Sequence, residues 1–253
     1  MGPDEREYCI AAAKLGLDPF AEADEYEAAI IEAAQRLPHE VLSDFFHAVN
    51  PRQIVQAVDW ITDASSEARL LAGDPSEEIR SVRAALANIS AIDTATPWQR
   101  GFRQARVARH ALGLGDDNRL DIGQYVPTGS RVGGDPRLQA VGVALGDFAR
   151  PAIVLDRAEG ASSTRFIQGR ALWHRLAKGE STFLITTSYT DLQKVERAFA
   201  AELLAPAEGI KIKLAVPPSE AVQEDLGSVA DHFGVSPILI EHQIENQILS
   251  GRH

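Results

Sequence analysis

Two segments of the chain carry residues whose types and spacing could do chemistry. The segment RFIQGRALWHRL, residues 165–176, contains Arg170 and His174, and the segment VERAFAAELLAP, residues 195–206, contains Glu196 and Glu202. An imidazole facing carboxylates can ligate zinc, whereas a guanidinium can pair with a carboxylate and hold two helices together without metal. A partly buried helix histidine satisfied by hydrogen bonds is the simpler interpretation of His174, and exposure to solvent is the alternative for Arg170.

These two segments, in this order, resemble the ImmA/IrrE family of zinc-dependent endopeptidases. The first is similar to the active-site helix of that family, approximately RFTLAHELGHLL, and the second to its next helix, which ends in FAAELLMP. Three further segments follow the same order: GFRQARVARHALGL at 101–114, RPAIVLD at 150–156 and VADHFGVSPILIEHQIEN at 229–246. The resemblance covers about residues 98–246 and implies a zincin-like fold there.

The family's chemistry depends on the HExxH motif. Its two histidines lie on one helix face and ligate zinc, its Glu acts as general base on the zinc-bound water, and a Glu from the second helix completes the site. In this chain the resemblance places Arg170 at the first histidine and Ala171 at the general base, so that only His174 remains. An arginine at this point would also repel a divalent cation.

The third zinc ligand of the family is also not found at its expected position. The family's acidic position falls on Val195, and Glu196 is one residue later, which corresponds to a rotation of about 100° on a helix. One histidine with an uncertain carboxylate does not reach the three protein ligands of a catalytic zinc site. We therefore expect a vestigial site with no catalytic residue, no metal and no cofactor, with zinc as the alternative. Its members are Arg170, Ala171, His174, Glu196 and Glu202.

The elements that must position these residues are predicted from hydrophobic periodicity. Apolar residues recur at helical spacing through the first third of the chain, and a helix is expected to begin after Ser76. Further helices are predicted over 98–112 and 163–178. Short apolar runs at 138–145, 152–155 and 182–187 predict strands, and residues 128–135 predict a Gly-rich loop. The expected class is α+β: a helical N-terminal domain, then a zincin-like domain with a small sheet and a C-terminal helix-turn-helix-like segment.

Charge divides the chain in the same way. The net charge is −11 over 253 residues with an isoelectric point near 5.1, and residues 1–92 alone carry seven Lys and Arg against 17 Asp and Glu. We therefore predict an acidic helical domain over 1–95 and a zincin-like domain over 96–253, with the boundary near Ile92 to Trp98. A basic surface is the expected partner of the acidic domain, either on another protein or on the arginine-rich helix at 100–109.

Composition also excludes several function classes. The acidic balance disfavours nucleic acid and anionic membranes as partners, and the single cysteine, Cys9, excludes an intrachain disulfide. The sequence carries no signal-peptide or membrane-anchor pattern, so we expect a cytoplasmic protein, bacterial from its residue usage. The helix after Ser236 matches a helix-turn-helix pattern, but it carries Glu241 and Glu245 and no Lys or Arg up to Gln247, which argues against contact with DNA.

Together these features predict a catalytically inactive peptidase homologue that acts in regulation by binding another protein. The family resemblance suggests a helix-turn-helix regulator as the protein partner. Two alternatives remain open: an active zinc endopeptidase with atypical ligands that cleaves such a regulator, and a DNA-binding regulator that uses the C-terminal helices.

Overall fold

Four short strands form a mixed sheet in the centre of the chain. The computed structural model describes residues 3–19, 23–89 and 96–249. The strands are β1 (Thr128–Ser130), β2 (Leu138–Val143), β3 (Ala152–Leu155) and β4 (Thr182–Thr186). Their order is β1-β3-β2-β4, with β1 parallel to β3 and the other two pairs antiparallel. The expected loop at 128–135 was therefore wrong at its start, because Thr128–Ser130 pairs with β3 through contacts that a three-residue segment does not reveal.

Eleven α-helices surround this sheet in the described residues. They are α1 (Pro3–Lys14), α2 (Ala23–Arg36), α3 (His39–Ala48), α4 (Ile54–Leu71), α5 (Glu77–Ala87), α6 (Pro97–Ala111), α7 (Ala161–Trp173), α8 (Asp191–Leu204), α9 (Ala207–Lys213), α10 (Gln223–Phe233) and α11 (Pro237–Gln243). The last turns after α7 and α11 widen into π-helical segments, His174–Lys178 and Ile244–Leu249. The chain is thus a mixed helix-and-sheet protein, as its sequence predicts.

The two faces of the sheet belong to two separate apolar cores. Alternate residues along a strand point to opposite faces, so that in β3 Val154 joins a core built with helices α1–α4, while Ile153 and Leu155 join the core of the later helices. In β4 Leu184 joins the first core, and Phe183 and Ile185 join the second. The sheet therefore lies between the acidic N-terminal helices and the helices that carry the candidate site.

Helix α3 covers the edge of the sheet at β4. The Glu40 carboxylate, in the first turn of α3, accepts hydrogen bonds from the Thr182 backbone N–H and the Ser181 hydroxyl, both at 3.1 Å. At the other end of α3, the Ser188 hydroxyl donates to the His47 carbonyl at 3.2 Å. These contacts occupy an edge that would otherwise be open to strand pairing.

The arginines of α6 are used within the chain. Arg109 is buried and donates to the carbonyls of Leu203 (2.7 Å), Gly115 (2.5 Å) and Asn118 (2.9 Å). Its burial follows from the close packing of α6 on α8, which closes over that side of the helix. Arg106 pairs with Glu202 at 2.7 Å.

Two further sequence predictions concern the domain boundary and membrane-spanning helices. Most of the predicted boundary segment, residues 92–95, lies outside the described residues, and the division into domains 1–95 and 96–253 stays a prediction. Within the described ranges, no helix is long and apolar enough to cross a membrane.

Candidate functional site

The candidate site forms where α7 and α8 approach closely. Gly169 in α7 faces Ala200 in α8, and a Cβ placed on Gly169 would lie 3.0 Å from the Ala200 Cβ. Small residues at this crossing let the helices approach, so that Arg170, next to Gly169, can meet Glu196, about one turn before Ala200. Helix α8 is fixed at its start by a capping box in which the Thr190 N–H donates to the Gln193 side chain at 3.0 Å.

Arg170 and Glu196 form a buried ion pair between these helices. The Arg170 Nε donates to Glu196 Oε1 at 3.0 Å, and its Nη2 donates to the same oxygen. The remaining donors bind Gln139 Oε1 (2.6 Å) and the Thr186 carbonyl (2.8 Å). Both side chains are at most 2% exposed, so the guanidinium is enclosed by acceptors and does not face solvent.

His174 completes the cluster from the next turn of the same helix. Its Nδ1 lies 2.5 Å from Glu180 Oε2, and its Nε2 lies 2.6 Å from Glu196 Oε2. The imidazole stacks on Phe183 with ring centroids 4.9 Å apart and an interplanar angle of 2°. Both ring nitrogens thus face carboxylates, an arrangement that suits the doubly protonated imidazolium.

Neighbouring charges determine the protonation states of His174 and Glu196. Burial lowers the pKa of His174, but the hydrogen bonds to Glu180 and Glu196, together with their negative charges, outweigh burial and raise that pKa to about 9. Burial raises the pKa of Glu196, but Arg170 and His174 outweigh burial and hold that pKa below its ordinary value. The cluster is therefore ionised at neutral pH, with one carboxylate shared between two cations.

Asp44 faces this cluster from α3, on the acidic side of the sheet. Burial raises the pKa of Asp44, and the positive charge of His174 opposes that rise. The neighbouring charges of Glu196 and Glu180 add to the increase. The acidic helices thus contribute a titratable group to the surroundings of the site.

The structure brings together three of the five residues that the sequence singled out. Arg170, His174 and Glu196 meet, whereas Ala171 is buried in the apolar core. Glu202 lies apart, since its carboxylate binds Arg106 and also accepts from the Ala207 backbone N–H at 3.2 Å. Two neighbouring residues of α8 differ in where they lie. Glu196 reaches the site, while Val195 packs in the core beside Gly101.

Sequence reasoning missed four residues that surround this cluster: Gln139, Glu180, Asp44 and Arg197. Each comes from a different element, namely β2, the turn after the π-helical segment, α3 and α8. Glu180 follows Gly179, whose positive φ of 73° ends the helix, and this glycine is a signal for a turn but not for the direction of the Glu180 side chain. The other three positions carry no local signal.

The residues present do not fit a zinc ion. Both nitrogens of His174 are engaged by carboxylates, and a second cation, the Arg170 guanidinium, lies against Glu196, which would have to act as ligand. In the ranges that the structure describes, no group of three or more His, Cys, Asp or Glu side chains is arranged to hold a metal.

A cleft of about 790 Å³ opens beside the ion pair, between α6, α7, α8 and α11. Arg170 and Gln139 lie at its inner end, and Trp98, Tyr189 and Ile238 lie along its walls. The second helix of the predicted helix-turn-helix lines this cleft with Ile238 and other side chains, so that part of its surface faces the rest of the chain.

No protein-family model matches this sequence, and no curated protein matches it. The resemblance to the ImmA/IrrE peptidases accordingly stays a prediction that rests on the residues and motifs given above.

Proposed function

We propose that the chain is a catalytically inactive homologue of the ImmA/IrrE peptidases that acts in regulation by binding another protein. In this proposal residues 96–253 form a zincin-like domain in which the metal has been replaced by internal ion pairs. The partner class suggested by the resemblance is a helix-turn-helix regulator, and the expected location is the cytoplasm.

The Arg170–Glu196–His174 cluster carries the proposal. A zinc endopeptidase needs an open coordination position for water and a carboxylate that can take its proton. Here a guanidinium and an imidazolium share the Glu196 carboxylate, and alanine occupies the position of the general base. In this arrangement no carboxylate at the general-base position is available to activate water, whereas a closed ion-pair network preserves the spacing of the two helices and the shape of the adjacent cleft.

Zinc binding tests the loss of catalysis. We expect isothermal titration of the full chain with zinc to show no stoichiometric site, and casein to remain intact with or without added zinc. One zinc per chain that is lost in His174→Gln would overturn the proposal. Arg170→His combined with Ala171→Glu should create a zinc site if the alignment to HExxH is in register, and thermal melting of this variant shows whether it has folded.

Partner binding is tested by affinity capture from the source cell with the folded full chain as bait. We expect the wild-type chain to retain a defined protein that Ile238→Ser, a change on the exposed cleft wall, does not retain. A chain that retains the same proteins with and without this change would contradict binding through the cleft.

A further inference from the structure

We propose that the cleft between α6, α7, α8 and α11 binds a peptide segment in which a carboxylate lies next to a large apolar side chain. The inference rests on the proposed function and specifies the chemistry of the partner. The carboxylate would be bound by Arg197, and the apolar side chain would pack on the wall formed by Trp98, Tyr189 and Ile238.

Arg197 is the group that requires an anion. Its Nη2 donates to the Thr186 carbonyl at 3.2 Å, but its Nη1 is buried and has no hydrogen-bond partner among the described residues. A buried donor left without an acceptor is costly, and the cost is greater when the group is charged. Arg197 also lines the cleft, so a small rotation of its guanidinium toward the cleft would let a bound carboxylate provide the missing acceptor.

The electrostatic surroundings of Arg197 point the same way. Burial lowers the pKa of Arg197 and the positive charge of Arg170 lowers it further, while the negative charge of Glu196 offsets only part of this decrease. Arg170 itself is paired with Glu196, and within the described ranges no carboxylate forms an ion pair with Arg197. A guanidinium beside a second guanidinium and without its own counterion gains from any bound anion.

Three large side chains on the cleft walls are exposed to solvent. Tyr189 is 76% exposed, Ile238 63% and Trp98 47%, and all three line this one cleft. Exposed apolar residues that converge on a concave surface mark a binding site more often than scattered ones do. The Arg197 guanidinium also lies over the Tyr189 ring, 5.5 Å from its centroid, which places the cation and the apolar wall side by side.

A peptide fits this combination better than a polyanion. The cleft volume of about 790 Å³ lies within the range of ligand sites, and it has room for a few residues. Glu159 lies at the same cleft and Asp191 pairs with the nearby Lys194 at 2.9 Å, so the field around the cleft is not uniformly positive. One carboxylate can reach Arg197, whereas a chain of phosphates would also meet these acids.

Two libraries of random hexapeptides on beads test the proposal, one ending in a free α-carboxylate and the other in a carboxamide. We expect the labelled full chain to select peptides with an aromatic or branched apolar residue beside a carboxylate. Selection from the first library alone would assign a C-terminal carboxylate, and selection of Asp or Glu from both would assign a side chain. No selection from either library, or selection of peptides without Asp or Glu from the carboxamide library, would overturn the proposal.

Variants locate the bound group. Arg197→Met should weaken binding of a selected peptide at least about tenfold, as expected for losing a charged hydrogen bond. Arg197→Lys should retain part of the affinity, and Arg52→Met, an exposed arginine outside the cleft, should have no effect. Ile238→Ser lies on the exposed wall and tests the apolar contact without disturbing the core.

The outcomes separate this proposal from the proposed function. If Arg197→Met and Ile238→Ser leave peptide binding unchanged while zinc and proteolysis remain absent, this site is wrong but an inactive scaffold stands. If peptides bind as expected while the chain takes up one zinc and cleaves casein, the cleft assignment stands and the claim of inactivity fails.

Discussion

A buried charge must be compensated by hydrogen bonds and by opposite charges nearby, and the buried Arg170–Glu196 pair meets this requirement. Every donor group of the Arg170 guanidinium has an acceptor on the side chain of Glu196, on Gln139 or on the Thr186 carbonyl. Breaking such a pair from one side is costly because the other charge stays buried.

Arg170→Met is therefore expected to destabilise the protein. We expect a loss of about 3 kcal/mol, which corresponds to a fall in Tm of roughly 10 °C. Thermal and urea unfolding measure this loss. Lys211→Met is the control, because Lys211 forms an exposed pair with Glu208 at 2.8 Å and should change stability by less than about 0.5 kcal/mol.

The double variant Arg170→Met with Glu196→Gln separates the ion pair from lost packing. Glu196→Gln should cost less stability in the Arg170→Met background than in the wild-type chain, giving a coupling energy above about 1 kcal/mol. An unchanged Tm in Arg170→Met, or additive losses in the double variant, would show that the two side chains do not stabilise each other.

His174 gives the stability a pH dependence with a definite sign. Because its pKa is raised from 6.5 to about 9 in the folded protein, the folded state binds a proton that the unfolded state releases between these values. The stabilisation is complete below about pH 6.5 and is lost as the pH rises through 9, with a total on the order of 3 kcal/mol.

Urea unfolding between pH 6.5 and 9.5 measures this loss. In His174→Gln the slope over this range should be smaller, since glutamine does not titrate. Equal slopes in the two proteins would mean that His174 is neutral in the folded state, with an ordinary or lowered pKa.

At the scale of elements, helix α8 is central, because α6 and α7 both pack against it. The contact between α6 and α8 is close enough to exclude a single methyl group. A Cβ on Gly101 would lie 2.3 Å from the Val195 carbonyl oxygen and 2.8 Å from the Ala198 Cβ. The helices could accept it only by moving apart, which would also shift Glu196 relative to Arg170.

Gly101→Ala should therefore destabilise the protein by about 2 kcal/mol or more, since added volume strains a packed contact. Gly227→Ala is the matched control: Gly227 is also inside a helix, α10, but nothing lies within 4 Å of its Cβ position. That change should stabilise the protein by about 0.5–1 kcal/mol. Urea unfolding compares the two, and a stabilisation of equal size in both variants would show that helix propensity and not the α6–α8 contact decides the outcome.

The same elements show what the sequence could predict. Strands β2, β3 and β4 were predicted because their apolar, β-branched runs are buried on both faces, and α5 was predicted from Ser76, whose side chain caps it. Strand β1 was missed because it is defined by pairing with β3 and not by its own residues. Arg170 and His174 stood out on one helix, but Gln139 reaches Arg170 from a distant strand and Glu180 reaches His174 from a turn made by a glycine, which no local pattern records.

At the scale of the whole molecule, the acidity of the N-terminal helices finds part of its balance within the chain. Arg131, which follows β1, pairs with Asp63 of α4 at 2.6 Å and lies 3.8 Å from Glu67. These pairs are exposed and contribute little to stability, so they do not explain why the helices stay on the sheet. The apolar core beneath them does.

A chain beginning at residue 96, the predicted domain boundary, tests how far the two parts depend on each other. Removing residues 1–95 would uncover one face of the sheet. The residues of that face share a core with the N-terminal helices and are at most 2% exposed in the full chain: Leu138, Val141, Val143, Val154 and Leu184. Exposing this continuous apolar face should cause aggregation or loss of fixed packing.

A chain beginning at residue 23 is the control, since α1, which packs on α2 and α3, is the one described helix that it lacks. We expect light scattering and dispersed amide NMR signals to show a folded monomeric unit for the control and not for the longer deletion. Well-dispersed signals and one cooperative transition in the chain from residue 96 would instead establish it as an independent domain.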